Sequence, residues 1–344
     1  MGDKNHKAVV IGADGREVER REVANTEAGV AAFLGGFAGA TLAVETGTHC
    51  RWVAALAAKL GVKALVANAR RVRAIWQSSR KNDWRDAEML AKIARTEPSL
   101  LSPVRLRTAD DQRLMRLAKA RDALVRCRTR VVNQVRGFCK AEGARLPTCA
   151  AERFAKLKGE LPAEIADVAC HLFETLEHLN GKIRAYDGIL REAVMRLRKE
   201  DAEAVMQVGG VGPVTAAVFL AAVGDAKAFR KPRDAGAFLG LTPRQAQSGD
   251  ADPQMRITKE GNAMARRMLV TAANRILSRN GADSDIRRHG MRIAERGGKN
   301  AKRRAKVAVA RRLAVTMLAL IRKKEAYRPL SDVAAADAAE CAAT

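Results

Sequence analysis

Apolar positions follow three different rhythms along this chain. At the start, KAVVIG (7–12) is a short apolar run, Asp14-Gly15 is a turn signal, and REVERREVA (16–24) is polar enough for an exposed partner strand. Together they predict a β-hairpin. Thr26 is placed to cap a helix over 27–37. TLAVE (41–45) then reads as a buried strand ending on a carboxylate, and VKALVAN (62–68) as a second one. Helices over 48–60 and 83–95 complete the segment. This order predicts a mixed α/β domain over about 1–105.

Over about 106–205 the rhythm changes. Leu114, Leu117, Leu124, Val131, Val135 and Phe138 recur at helical spacing on an Arg-rich helix that Pro147 should break. On the return, Ile165, Val168, Leu172, Leu176, Leu179, Ile183, Tyr186, Leu190, Val194 and Leu197 fall three or four apart. That narrow seam is coiled-coil-like, and periodicity leaves open whether it pairs within the chain or between chains. The third rhythm, over 206–325, is helical and Gly-punctuated. It ends in a basic stretch, KNAKRRAK (299–306) and ARR (310–312), with one apolar face through Val307, Leu313, Met317 and Ile321. The Ala-rich tail, 326–344, is expected to fray.

Charge narrows the function classes. The 344 residues carry 63 Lys+Arg against 38 Asp+Glu, a net charge of +25. Such an excess asks for a polyanion, nucleic acid before an acidic membrane surface. Only 4% of residues are aromatic, so stacking of bases on aromatic platforms is not the expected binding mode. No eighteen-residue apolar window free of charge predicts a membrane span, and no apolar run behind Met1–Lys7 predicts a signal peptide. The six cysteines are scattered without a CxxC pair, which argues against zinc and for reduced thiols in a cytoplasm.

Three constellations carry candidate chemistry. Glu45 ends a buried strand, where a charge is costly unless it binds something. Asp83 and Asp86 lie three apart near a helix start, on one face. Together the three acids could hold hard divalent cations; equally, helix-start acids merely favour the dipole. The turn Gly209-Gly210-Val211-Gly212-Pro213 resembles a helix-hairpin-helix element offering backbone N–H groups of Gly210 and Gly212 to a DNA phosphate, or is an ordinary tight turn. Ser248-Gly249 reads as a loop apex whose hydroxyl could be a nucleophile, or as a solvated turn. Around it, Arg244, Arg256, Thr258, Lys259, Asn262, Arg266 and Arg267, with Lys302, Arg303 and Arg304 further on, are candidate nucleic-acid contacts; the alternative is a solvated basic face.

Four motif blocks stand in a fixed order: GDKNHKAVV (2–10), AVETG (43–47), KNDWRDAEMLA (81–91), and a C-terminal set of GGVGPVTA (209–216), FLGLTPRQAQSG (238–249) and ITKEGNAMARRMLV (257–270). In this order and spacing the chain resembles the DEDD transposases of the IS110 class of bacterial insertion sequences, and within it the IS1111 branch, from about residue 2 to 325. The resemblance implies an RNase-H/RuvC-like N-terminal domain with acids on a central sheet, a helical arm, and a mainly α-helical C-terminal transposase domain. It implies Mg²⁺ held by the acids, with Glu45, Asp83 and Asp86 in the second to fourth acid positions. It further implies a covalent phosphoserine at Ser248, DNA at the element ends and target, a structured guide RNA, and a homo-oligomer. One departure stands out. The family's first acid lies in a strand just upstream of the lysine-containing turn, and Met1 stands where the residue after that acid belongs; Asp3 does not match it. The first central strand is therefore expected to be missing, through a late start or a degenerate copy. The alternatives to a working transposase are a truncated remnant that only binds nucleic acid and a junction-resolving nuclease using acids alone.

Overall fold

The computed structural model describes residues 2–69, 71, 82–247 and 255–330. The chain forms two compact units, Met1–Leu106 and Arg107–Thr344.

In the first unit, β1 (Asn5–Ile11) and β2 (Glu17–Ala24) form the expected antiparallel hairpin, turning through Asp14-Gly15. The helix α1 (Glu27–Leu34) starts where Thr26 accepts from the Gly29 N–H, and stops at the Gly35-Gly36 pair rather than at 37. Next come β3 (Thr41–Glu45), α2 (Cys50–Lys59) and β4 (Lys63–Ala67), with β3 and β4 parallel and in register from Thr41–Lys63 to Glu45–Ala67. The helix α3 (Asp83–Thr96) follows, capped by Asn82. The central sheet that the resemblance implies is, in the described residues, two separate two-stranded sheets.

Two helical layers sandwich both sheets. Strand alternation sends Leu42, Val44, Ala64 and Val66 to one face, where Ala8, Val10 and Val23 of the hairpin join Val30 and Phe33 of α1 and Val53 and Leu56 of α2. The opposite alternation sends Ala43, Leu65 and Ala67 toward Met89, Leu90 and Ile93 of α3. On that side α3 is also pinned to the hairpin. Its Trp84 ring lies under Lys7 Nζ at 4.8 Å and Arg20 at 5.5 Å, Glu88 pairs with Arg20 at 3.3 Å, and Arg95 Nη1 donates to Ala13 O at 3.2 Å.

In the second unit, α4 (Ala109–Ala141) and α5 (Ala163–Leu197) run antiparallel, as the cross-links Asp111–Arg198, Arg121–Asp187 and Arg128–Asn180 require. The seam therefore closes within the chain, as a helical hairpin. Two details differ from the expectation. α4 ends at Ala141, ahead of Pro147, because Gly143 takes a left-handed φ of +74° and turns the chain first. Val168 is 58% exposed, while Ala169 and Phe173 are buried. Phe173 stacks on Phe154 from the 3₁₀ segment Ala151–Glu160, which rotates the buried stripe at that end.

The inner half of this hairpin shares one core with α6 (Lys199–Met206), α7 (Pro213–Val223), α8 (Asp234–Phe238), α9 (Ala263–Ile276), α10 (Asp285–Glu295) and α11 (Ala301–Lys323). α7 is its axis: Ala216 to Val223 are all buried, so this small-residue helix carries no polar face. α11 buries Leu313, Met317 and Ile321 of the stripe read from its spacing, while Val307 is only partly buried and Val309 stands buried in its stead. No helix among the described residues is long and apolar enough to cross a membrane.

Candidate active site

Three carboxylates come to one cavity. Glu45 is the last residue of β3 and is half-buried; the chain is held there by the Thr46 N–H donating to Ala67 O at 2.9 Å. Asp83 and Asp86 occupy the first turn of α3, started by Asn82 Oδ1 accepting from the Trp84 N–H at 3.0 Å. The Trp84, Glu88 and Arg95 contacts set where this turn lies over β1. All three acids line a cavity of about 1010 Å³ among β1, β3 and α3.

Their electrostatic condition is unusual for this chain. The neighbouring cations are engaged elsewhere: Lys7 with Glu22 and the Trp84 ring, Arg20 with Glu17 and Glu88. Among the described residues, no hydrogen bond or ion pair reaches the carboxylates of Glu45, Asp83 or Asp86. Uncompensated carboxylates sharing a cavity suit a hard divalent cation, which takes oxygen ligands and keeps part of its water shell. The described residues do not gather three such ligands into one ready-made cluster, so the acids share a cavity without closing a cage.

The serine loop is divided. Ser248 lies outside the described residues, as do 249–254. Its flanks are described: Pro243 and Ile257 form an antiparallel bridge, the Arg244 N–H donates to Arg256 O at 3.0 Å, and the Thr258 N–H donates to Thr242 O at 2.9 Å. This neck sets Arg244 and Arg256 side by side, both exposed. It is anchored by close backbone approach at Gly240, where a Cβ would stand 2.3 Å from the Glu260 N and φ is +64°. Lys259 itself has a positive φ of 58° beside it.

Several predicted nucleic-acid contacts are engaged within the fold. Arg266 Nη1 donates to Leu239 O at 2.9 Å and to Glu260 O at 2.5 Å, tying the neck to α9. Arg267 pairs with Asp122 at 2.5 Å. Asn262 caps α9, accepting from the Met264 and Ala265 N–H groups at 3.0 Å. Gly210, at φ +88°, packs so closely on α9 that a Cβ would meet Ile276 Cγ1 at 3.0 Å. Its first duty is packing, whatever its N–H does. Gly212 caps α7 in extended conformation. Lys302, Arg303 and Arg304 are exposed at the start of α11.

Sequence reasoning passed over His289. It is half-buried on α10, and its pKa lies below the ordinary histidine value, first through burial and then through the positive field of Arg312, Arg292 and Arg296. The signal was present in RRHGMRIAER, a histidine embedded in arginines.

Comparison with known proteins decides the family. Residues 202–289 match the "Transposase IS116/IS110/IS902 family", and residues 1–141 match a second family, described as "Transposase", of DEDD type. The chain is 32% identical over 256 residues to the transposase for insertion sequence element IS1111A of Coxiella burnetii, covering 73% of this chain and 69% of that one. The chain belongs to the IS110 family of transposases. It is also 30% identical to the transposase for element IS1328 of Yersinia enterocolitica, covering 69% of this chain and 71% of the relative. A probable family 20 transposase of Pseudomonas aeruginosa is 29% identical over 72% of this chain and 74% of its own. As a member of this family the protein is an enzyme of DNA transposition, cutting and rejoining DNA. The motif blocks therefore identified the family correctly.

Proposed function

We propose that this transposase cuts DNA with the Ser248 hydroxyl as nucleophile, assisted by Mg²⁺ at Glu45, Asp83 and Asp86, and is directed to its sites by a structured guide RNA. The observation that carries the reading is the cavity lined by three carboxylates without counter-charge, in a protein of net charge +25. Bound there, Mg²⁺ would supply charge stabilisation at the scissile phosphate and its leaving oxygen. The chain's own residues do the rest. Ser248 Oγ forms a bond to phosphorus as its proton is lost; the bridging P–O bond to the departing strand breaks, and that oxygen leaves as a hydroxyl. Rejoining reverses the exchange, with an incoming strand hydroxyl displacing Ser248. Arg244 and Arg256, set together by the neck, hold the flanking phosphates, as do Thr258 and Lys259. Lys302, Arg303 and Arg304 hold a second stretch of nucleic acid. The RuvC-like segment (1–105), the arm (106–205) and the C-terminal segment (206–325) divide this labour, and the active form is a homo-oligomer in the cytoplasm.

The test is chemical. Incubated with element-end DNA, guide RNA and Mg²⁺, the protein should form a covalent adduct that survives denaturing electrophoresis. Ser248→Ala should abolish it. Adducts that persist at the same yield would refute the serine and favour cutting by the acids alone.

A second reading has its own support in the split sheet and the ungathered acids. On that reading the chain binds nucleic acid without cutting it. Titration calorimetry with Mg²⁺ in the presence of DNA separates the two: saturable heat that Asp83→Asn removes supports the catalyst, and no heat supports the binder.

A further inference from the structure

Rings are scarce in this chain, and among the described residues one of them is left in water. Phe238, the last residue of α8, is 45% exposed, while the other described aromatic side chains are buried or half-buried. A single exposed apolar side chain is ordinary by itself. Its support, its place and its surroundings give this one a use.

The ring is held. Phe229 meets it edge-on, with centroids 5.1 Å apart and planes at 86°, so the two form a corner rather than a stack. The backbone beneath it is fixed as well. Phe238 O lies so close to Gly261 that a Cβ there would stand 2.0 Å from it, and Leu239 O accepts from Arg266 at 2.9 Å. A ring positioned in this way loses little freedom when something lies on it.

Its place is the entrance to the serine loop. The Leu241 N–H donates to Gly236 O at 2.8 Å, so α8 runs straight into the neck, which opens where the Lys259 N–H donates to Gly240 O at 3.2 Å. The same neck carries Arg244 and Arg256. Its surroundings are cationic. Arg230, Lys231 and Arg233 are exposed in the stretch that joins the two rings. From α11, Arg322 Nη1 donates to Phe229 O at 2.7 Å, and Arg311 crosses Gly236, where a Cβ would meet its Cγ at 3.0 Å. A ring framed by cations repels a basic partner and suits a polyanion that also carries flat apolar groups. Nucleic acid is such a polyanion. In a duplex the faces of its bases are covered by their neighbours, so only an unpaired base can lie on Phe238.

We infer that Phe238 is a stacking platform for an unpaired nucleobase, in a strand whose phosphates the neighbouring arginines hold. The inference rests on the proposed reading that the neck binds nucleic acid, and not on which groups cut it. Every base has a flat face, so the ring positions a strand without reading its sequence. A base drawn onto it leaves the strand unstacked beside the neck, and stacking on the ring returns part of that cost.

The probes are single-stranded DNA and RNA of one mixed sequence, each carrying 5-iodouracil, which photo-crosslinks to an aromatic ring stacked on it. A fully paired DNA duplex with the same substitution is the control. With the full chain, irradiation should give a crosslink that peptide mapping places on Phe238, from a single strand and not from the duplex. The strand that gives it, DNA or RNA, identifies the source of the base. Phe238→Leu keeps an apolar side chain against Phe229 and should bind that strand at least about fivefold more weakly; Phe238→Trp keeps a flat face and should bind like the parent. An abasic site at the crosslinked position should weaken the parent to the same degree and leave Phe238→Leu unchanged. The crosslink should persist in Ser248→Ala, so failure of the serine reading leaves the platform standing. The inference is overturned by crosslinks only at other residues, by equal crosslinking of the duplex, or by Phe238→Leu binding as the parent does. It is equally overturned if Phe238→Leu weakens self-association in sedimentation while strand binding is unaltered, which would assign the ring to a protein interface.

Discussion

The helical unit pairs its buried acids with arginines, whereas the α/β unit keeps three cavity-lining acids apart from its own ion pairs. In the helical unit the buried carboxylates of Asp111 and Asp122 each have an arginine. Asp111, 1% exposed, accepts from Arg198 at 2.8 Å, and the same guanidinium reaches Asp201 at 2.7 Å and Gly224 O at 3.2 Å. Asp122 takes Arg126 and Arg267, Glu152 takes Arg128, and Asp187 takes Arg121. In the α/β unit Glu45, Asp83 and Asp86 face a cavity with no such partner among the described residues. A chain with this excess of arginine had cations available for them. Paired acids tie helices together; acids kept apart from cations remain able to bind an external one. The contrast predicts that removing a paired arginine damages folding, while removing an unpaired acid damages only function.

The largest effect should follow from breaking the most buried pair. Arg198→Met takes the paired guanidinium from Asp111 in the core, leaving it the Thr108 hydroxyl at 2.9 Å and the charge of Arg107, at a cost of up to about 3–5 kcal/mol. Urea unfolding of the helical unit should show the midpoint falling accordingly. The double change Arg198→Met with Asp111→Leu should recover much of the loss, since the penalty belongs to the stranded charge rather than to a lost attraction. If the single and double variants lose equally, the pair acts through packing and the contrast between the units is weaker than drawn.

A smaller effect concerns one histidine in each unit. In the α/β unit, burial is the first reason that His6 has a lowered pKa. In the helical unit burial again leads for His289, and the arginine field of 312, 292 and 296 adds to it. Both groups take up protons more readily when unfolded. Their contribution to stability is therefore full above the ordinary histidine value and is lost as pH falls toward the depressed folded value. Unfolding measured from about pH 7.5 to about 5.5 should show stability declining across the histidine range. His289→Gln should flatten that slope for the helical unit only.

Much of this was legible before the structure, and the parts that were not share a cause. Strand and helix order came from local rhythm: the apolar run of TLAVE, the Asp14-Gly15 turn, and the Thr26 position that caps its helix. The acids were legible as candidates because a strand-end Glu45 and an i, i+3 Asp83–Asp86 pair are local patterns too. What escaped was any property that depends on which distant residue arrives opposite. Arg267 and Arg266 looked like phosphate ligands, yet Asp122 lies 145 positions away in sequence from Arg267, and the carbonyls of Leu239 and Glu260 claim Arg266. Asn262 was read by its type rather than its place, and its place is a helix cap. Val168 kept the seam's period but not its burial, because Phe154 from another segment took up the stripe.

The smallest effect on stability should come from the acids, and there the comparison is most exposed to failure. Asp83→Asn and Asp86→Asn remove a favourable interaction with the helix dipole, worth about 0.3–1 kcal/mol each, because both lie in the first turn of α3. They also remove mutual repulsion between carboxylates on one helix face, which acts in the opposite direction at similar size. The two nearly cancel, so the unfolding midpoint of the α/β unit should move by less than about 1 kcal/mol in either direction. Excision of the element, by contrast, should fall to background with either change, and with Glu45→Gln. A structural acid behaves like Asp111, with activity and stability lost together; an acid reserved for chemistry loses activity alone. Should Asp86→Asn instead unfold the unit by several kcal/mol, the carboxylate has a hidden cation partner, and the separation of the two acid populations by unit no longer holds.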